Sequence, residues 1–158
     1  MNNSAARLVS LFAARGLTCA TAESCTGGLV AASITATPGA SAVFTHGFVT
    51  YANHAKSQML GVPPEMLATH GAVSGPVARA MAEGARTRAG VDYAISTTGI
   101  AGPEGGTAEK PVGTVWLGLA GPQGTTIYHQ IFQGDREMIR TQAVAFALSR
   151  LEQQGEHE

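Results

Sequence analysis

The hydrophobic positions of this chain switch repeatedly between helical and extended spacing. Ala5 to Ala14 places Leu8, Leu11 and Phe12 on one helical face, and Gly16 supplies a stop. Leu17 to Ala22 is an apolar run of strand length. It leads at once into Ser24-Cys25-Thr26-Gly27-Gly28 and a second apolar stretch, Leu29 to Ile34, which predicts a strand, a tight turn and a helix. Val43 to Tyr51 is rich in β-branched and aromatic residues and predicts a second strand. A helix is expected to begin near Asn53, whose side chain suits an N-cap. Pro76 fits the first turn of the next helix, with Val77, Met81, Ala85 and Arg88 on one face and Arg79, Glu83 and Arg86 on the other. Val91 to Thr98 predicts a third strand. Val112 to Ala120 and Thr125 to Phe132 flank Gly121-Pro122-Gln123-Gly124, a hairpin with its turn residues in place. A last helix is expected from Asp135, with Ile139, Ala143, Val144, Ala147, Leu148 and Leu151 facing inward.

Strands separated by helices and closed by a hairpin predict an α/β fold: three layers, α/β/α, around a mixed, mostly parallel five-stranded sheet, with a C-terminal antiparallel hairpin plus helix. In such sheets ligands bind beyond the carboxyl ends of the parallel strands. No repeat, low-complexity linker or composition break divides the chain, so 1–158 is expected to be a single domain with its core at about 5–152. The first residues and the polar end, Gln153 to Glu158, are expected to fray.

Composition narrows the function classes. Charged residues make up 13% of the chain against a usual fraction of roughly a quarter, which favours extensive burial or an interface between copies. A homodimer or other homo-oligomer is the expectation. The net charge of −1 lacks the basic footprint of a nucleic-acid binder. Cys19 and Cys25, the two cysteines, fit neither a zinc site nor a redox pair and read as buried thiols of a reducing compartment. No leader and no apolar run of roughly 18 residues is present, so no membrane partner and a cytoplasmic location are expected. The histidines at 46, 54, 70, 129 and 157 have no HExxH or CxxC context, so no metal is expected. His46 and His129, inside strands, read as structural, and His54 is a candidate participant beside Lys56.

Four segments carry candidate chemistry. Ser24, at a strand-to-helix turn, either caps the helix or presents its hydroxyl at the sheet edge, with the amides of Cys25, Thr26, Gly27 and Gly28 available to an anion. Lys56, one helical turn beyond Tyr51, is either solvated or a buried general base sharing a cleft with that tyrosine. Thr98-Gly99-Ile100-Ala101-Gly102-Pro103-Glu104-Gly105-Gly106-Thr107 is neither a Walker A loop nor GxGxxG, and a substrate-covering loop is expected. Asp135 reads as an N-cap, whereas Arg136 is either a surface partner of an acid or a phosphate contact.

Taken together, AESCTGG, GFVTYANHAK, GAVSGPVARAMAEGAR, TTGIAGPEGGTAEKPVGTVW and GDREMIR resemble the CinA carboxy-terminal domain family in content and order, from about Leu8 to Leu151. PncC-type stand-alone members of that family are nicotinamide-nucleotide amidases. The resemblance implies hydrolysis of the carboxamide of nicotinamide mononucleotide (NMN), a small-molecule nucleotide substrate, without metal or other cofactor, in pyridine nucleotide salvage. It implies Ser24 as nucleophile, Lys56 as general base and Tyr51 as a hydrogen-bonding partner that orients the pair. Oxyanion and substrate contacts would come from Cys25, Thr26, Gly27, Gly28, Thr98, Gly99, Gly102, Gly105 and Gly106, and phosphate contacts from Arg136 or Arg140. Longer members add an amino-terminal pyrophosphatase domain, which is not expected here. Many relatives have Tyr-Ser-Asn where this chain has Tyr51-Ala52-Asn53, and where relatives often have Thr-Pro-Glu-Lys-Pro, here Ala108 precedes Glu109-Lys110-Pro111. The alternative is a non-catalytic nucleotide-binding or regulatory module associated with competence or DNA damage.

Overall fold

The computed structural model describes residues 3–156. Its elements run α1 (Ser4–Arg15), β1 (Cys19–Glu23), α2 (Leu29–Thr35), β2 (Phe44–Val49), α3 (Asn53–Leu60), α4 (Pro64–His70), α5 (Gly75–Ala89), β3 (Tyr93–Gly99), β4 (Thr114–Gly121), β5 (Gly124–Ile131) and α6 (Arg136–Glu156). A 3-10 turn, Ala40–Ala42, precedes β2. The five strands form one sheet in the order β2-β1-β3-β4-β5. β1 pairs in parallel with β2 and β3, while β3 with β4 and β4 with β5 are antiparallel.

Alternation along the strands feeds two cores. Cys19, Tyr93, Ile95, Val115, Leu117 and Leu119 face α1, α2 and α6 on one side. Ala20, Ala22 and Ala94 face α3, α4 and α5 on the other, against Leu60, Leu67, Val77 and Met81. The three-layer expectation therefore holds. With both faces covered, every residue of β1 is buried, as parallel sheets require. The second face is lined by very small residues because α5 lies almost on the sheet. A Cβ on Gly118 would stand 2.5 Å from the Ala78 carbonyl oxygen.

The differences from the sequence reading sit at element ends. Asn53 is the first residue of α3 and makes no capping bond; Ala52 holds the N-cap position and its carbonyl accepts from Lys56 N at 3.2 Å. Helix α4 lacks a counterpart in the sequence reading because its seven residues bury only Leu67, too little for a periodic signal. Residues 153–156 are helical rather than frayed. Gly155 packs on α1, where its missing Cβ would meet Leu11 Cβ at 2.8 Å. His157 and Glu158 lie outside the described residues. Asp135 does cap α6, its Oδ1 accepting from Met138 N at 2.9 Å.

Candidate active site

The strand order reverses around β1: α2 leads to β2 on one side, and the chain then crosses to β3 on the other. Such a reversal leaves a crevice at the carboxyl ends of the strands. Ser24 sits there, directly after β1 and 8% exposed. Its amide donates to Thr97 O at 2.9 Å, and Thr50 N donates to Glu23 O at 2.9 Å, so the strand end is tied on both sides.

Lys56 reaches the same point from α3 and is 1% exposed. Its Nζ donates to Ser24 Oγ at 3.1 Å, Thr50 O at 2.9 Å and Tyr51 O at 3.2 Å. None of these acceptors is a carboxylate. Burial therefore holds the Lys56 amine below its ordinary value. In the neutral amine two N–H groups can serve the two carbonyls, which leaves the lone pair for the Ser24 hydroxyl proton. The geometry thus pairs a hydroxyl with a base. Cys25, next to Ser24, is pushed up to about 11 by burial and stays a thiol. Cys19 is likewise buried, and burial raises it to about 12.

A cleft of about 300 Å³ opens onto this pair. Ser24, Cys25, Tyr51, Lys56, Thr98, Gly99, Gly102, Gly105 and Arg136 all line it. The remaining candidates lie behind it. Gly27 N is bonded to Ser24 O at 3.1 Å, and Gly28 N to Glu23 Oε1 at 3.2 Å. Gly106 is required by packing, since a Cβ there would stand 2.7 Å from Val112 N. The Tyr51 side chain, 61% exposed, does not bond Ser24 or Lys56: its hydroxyl accepts from Arg136 Nη2 at 3.1 Å, and only its carbonyl orients the lysine.

The two arginines separate by geometry. Arg136 crosses the cleft mouth, with Nη1 donating to Gly102 O at 2.8 Å. Arg140 instead grips the turn after β1, its Nε donating to Cys25 O at 3.1 Å and its Nη2 to Thr26 O at 3.3 Å. Neither forms an ion pair among the described residues.

His54 is exposed on α3 outside the cleft, and His46 and His129 stack on Phe48 and Trp116. Among the described residues no cluster of three or more His, Cys, Asp or Glu could hold a metal ion. No helix there is long and apolar enough to cross a membrane. Sequence reasoning missed Glu23, Thr50 and Thr97 as supports of the site. Glu23 had a readable signal, an acid inside an otherwise uncharged buried strand, whereas Thr50 acts through a carbonyl that any residue carries.

Comparison with known proteins agrees with this architecture. A competence/damage inducible protein from Agrobacterium tumefaciens superposes with a TM-score of 0.93 at 46% identity, covering 94% of this chain and 92% of that one. A CinA superfamily protein from Klebsiella pneumoniae gives 0.94 at 39% identity, over 99% and 98% of the two chains. In sequence, a CinA-like protein of Anaeromyxobacter sp. (strain K) is 58% identical over 144 residues, 91% of this chain and 35% of that protein. The chain thus spans about a third of the length of such CinA-like relatives. The nicotinamide-nucleotide amidohydrolase PncC of Escherichia coli (strain K12) is 58% identical over 142 residues, 89% of this chain and 86% of that protein. The family model for the CinA C-terminal domain matches residues 1–154, and the chain belongs to that family.

Proposed function

We propose that this chain hydrolyses the carboxamide of NMN to nicotinate mononucleotide and ammonia, as a step of pyridine nucleotide salvage. The observation that carries the reading is a buried Lys56 Nζ 3.1 Å from Ser24 Oγ, held otherwise by carbonyls alone. The 58% identity to proteins named nicotinamide-nucleotide amidohydrolase, over most of both chains, supports the substrate.

Lys56, neutral, takes the Ser24 proton as Oγ attacks the carboxamide carbon. The resulting ammonium returns that proton to the leaving nitrogen, and ammonia departs from a Ser24 ester. Water, deprotonated by the same amine, then releases the carboxylate and restores the serine. The amide of Cys25, which Glu23 leaves unclaimed in the turn, and the Thr98-Gly99 strand end serve the oxyanion. One such donor contributes about 3 kcal/mol to transition-state stabilisation. Arg136, in no ion pair although Glu104 lines the same cleft, takes the phosphate, and Gly102 and Gly105 let the loop backbone close over the nucleotide. Arg140 is left to hold the turn. Exposed Leu29, Val49 and Met138 suit an interface in a homo-oligomer.

Ammonia release from NMN, without added metal, is expected from the wild type and should fall by about a thousandfold or more in Ser24→Ala. Equal release by both proteins would remove Ser24 from the mechanism. A folded wild type that binds NMN and releases no ammonia would instead be a regulatory module.

A further inference from the structure

Glu23 ends β1, immediately precedes Ser24 and is 1% exposed. A buried carboxylate needs several donors to offset its lost hydration, and this one has four. Thr26 Oγ1 donates to Oε1 at 2.6 Å, and Gly28 N and Val30 N donate to the same oxygen at 3.2 and 2.9 Å. Ala31 N donates to Oε2 at 3.0 Å. The amides belong to the start of α2, whose dipole favours negative charge. Gly27 and Gly28, at φ 58° and 104°, let the chain fold back over the carboxylate.

These bonds surround the nucleophile. Glu23 O accepts from Thr50 N, the residue whose carbonyl holds Lys56. Thr26 Oγ1 lies 2.8 Å from Thr97 Oγ1, and Thr97 O accepts from Ser24 N. One carboxylate therefore braces the turn against β3 and α2, while its own backbone is locked to the lysine's support. No lysine or arginine donates to it, so its neutral amide analogue can retain the Oε1 bonds and lose only the one to Ala31.

We propose that Glu23 is a positioning residue for the nucleophile: its grip on residues 26–31 keeps Ser24 Oγ in reach of Lys56 Nζ. This rests on the reading of Ser24 as nucleophile. The test uses Glu23→Gln and Thr26→Val, with a fluorophosphonate as probe. The extent and rate of Ser24 labelling are followed by mass spectrometry, beside kcat and KM for NMN. In Glu23→Gln, Ser24 should still label to completion, but at least about tenfold more slowly, since small misplacements of reacting groups are costly. The value of kcat should fall with it while KM stays within about threefold.

A wild-type labelling rate in Glu23→Gln overturns the proposal. So does a smaller labelled fraction that reacts at the wild-type rate, which is the mark of a folding role alone. Should Glu23→Gln fail to fold, Thr26→Val decides: labelling slowed by about threefold or more supports the brace, and an unchanged rate refutes it. If the wild type labels at Ser24 yet releases no ammonia, the amidase reading fails while the labelling rates still decide Glu23. A wild type that never labels at Ser24 removes both.

Discussion

Substituting alanine at Gly84, on the far side of α3 from the cleft, should disable the site without touching it. A Cβ at Gly84 would stand 2.0 Å from the Leu60 carbonyl oxygen and 2.9 Å from its carbon. Side-chain atoms need about 3.5 Å from such neighbours, so α3 and α5 must separate by roughly 1.5 Å at this point. Leu60 lies one helical turn after Lys56, and both are buried in α3. The displacement is thus passed to a lysine whose bond to Ser24 is already 3.1 Å long. Overpacking costs about 1–3 kcal/mol or more, and the better helix propensity of alanine offsets about 1 kcal/mol of that. For a domain of this size a net loss of up to about 2 kcal/mol lowers Tm by as much as roughly 8 °C. A misplacement near 1 Å at the base lowers kcat by about a hundredfold. Thermal melting and NMN turnover of Gly84→Ala would be compared with Thr87→Ala, an exposed substitution on the same helix. Unchanged Tm and turnover would refute the claim that contact at Gly84 sets the place of Lys56. A lowered Tm with wild-type turnover would show that something other than α3 yields.

Lys56→Arg keeps the charge but cannot give it up, so turnover should fall by orders of magnitude. In the wild type, kcat/KM should rise with pH through a midpoint below the ordinary lysine value of 10.5, because burial depresses Lys56; a pH-rate profile flat up to that value would oppose the base assignment. The same depression fixes a sign for stability. Between the folded and unfolded pKa the unfolded chain binds more protons, so Lys56 makes the fold more stable as pH rises and less stable as it falls. Denaturant titrations of wild type and Lys56→Met across that window should lose this slope in the variant. Ser96 Oγ donates to Ala78 O at 2.7 Å and accepts from Gly118 N at 3.0 Å. Ser96→Ala leaves both backbone groups buried without that partner and should cost about 2 kcal/mol in urea unfolding; a cost near zero would mean that α5 relaxes onto the sheet.

Most of the fold was legible because its helices and strands bury continuous stripes. Leu8 and Phe12 announce α1, and Ile139 through Leu151 announce α6. What escaped were elements fixed by single contacts. The end of α6 is held by the absence of a side chain at Gly155, and α4 by one leucine between Pro64 and Gly71. The site was legible differently. From spacing alone Ser24 and Lys56 each had an ordinary structural reading, and only the joint motif pattern favoured chemistry. The division of labour between Arg136 and Arg140 had no sequence signal. It depends on which carbonyls the folded turn presents, and both residues stand on the same helical face one turn apart. Two of the amides expected to receive the oxyanion are already engaged, that of Gly28 by the Glu23 side chain and that of Gly27 by Ser24 O, because the turn folds back on itself.

Lys56 is shifted toward its neutral form by no neighbouring charge; the shift comes from dryness alone. Helix α3 is short, carries four exposed residues among its eight, and borders an open groove shared with α4. Segments of that kind open at lower free energy than a domain's core. Each opening would wet the amine, return it to an ordinary, protonated lysine and silence the site while the sheet stays intact. Catalytic competence is then a property of one small helix's local closure, and the temperature at which activity fades belongs to α3 before it belongs to the whole fold.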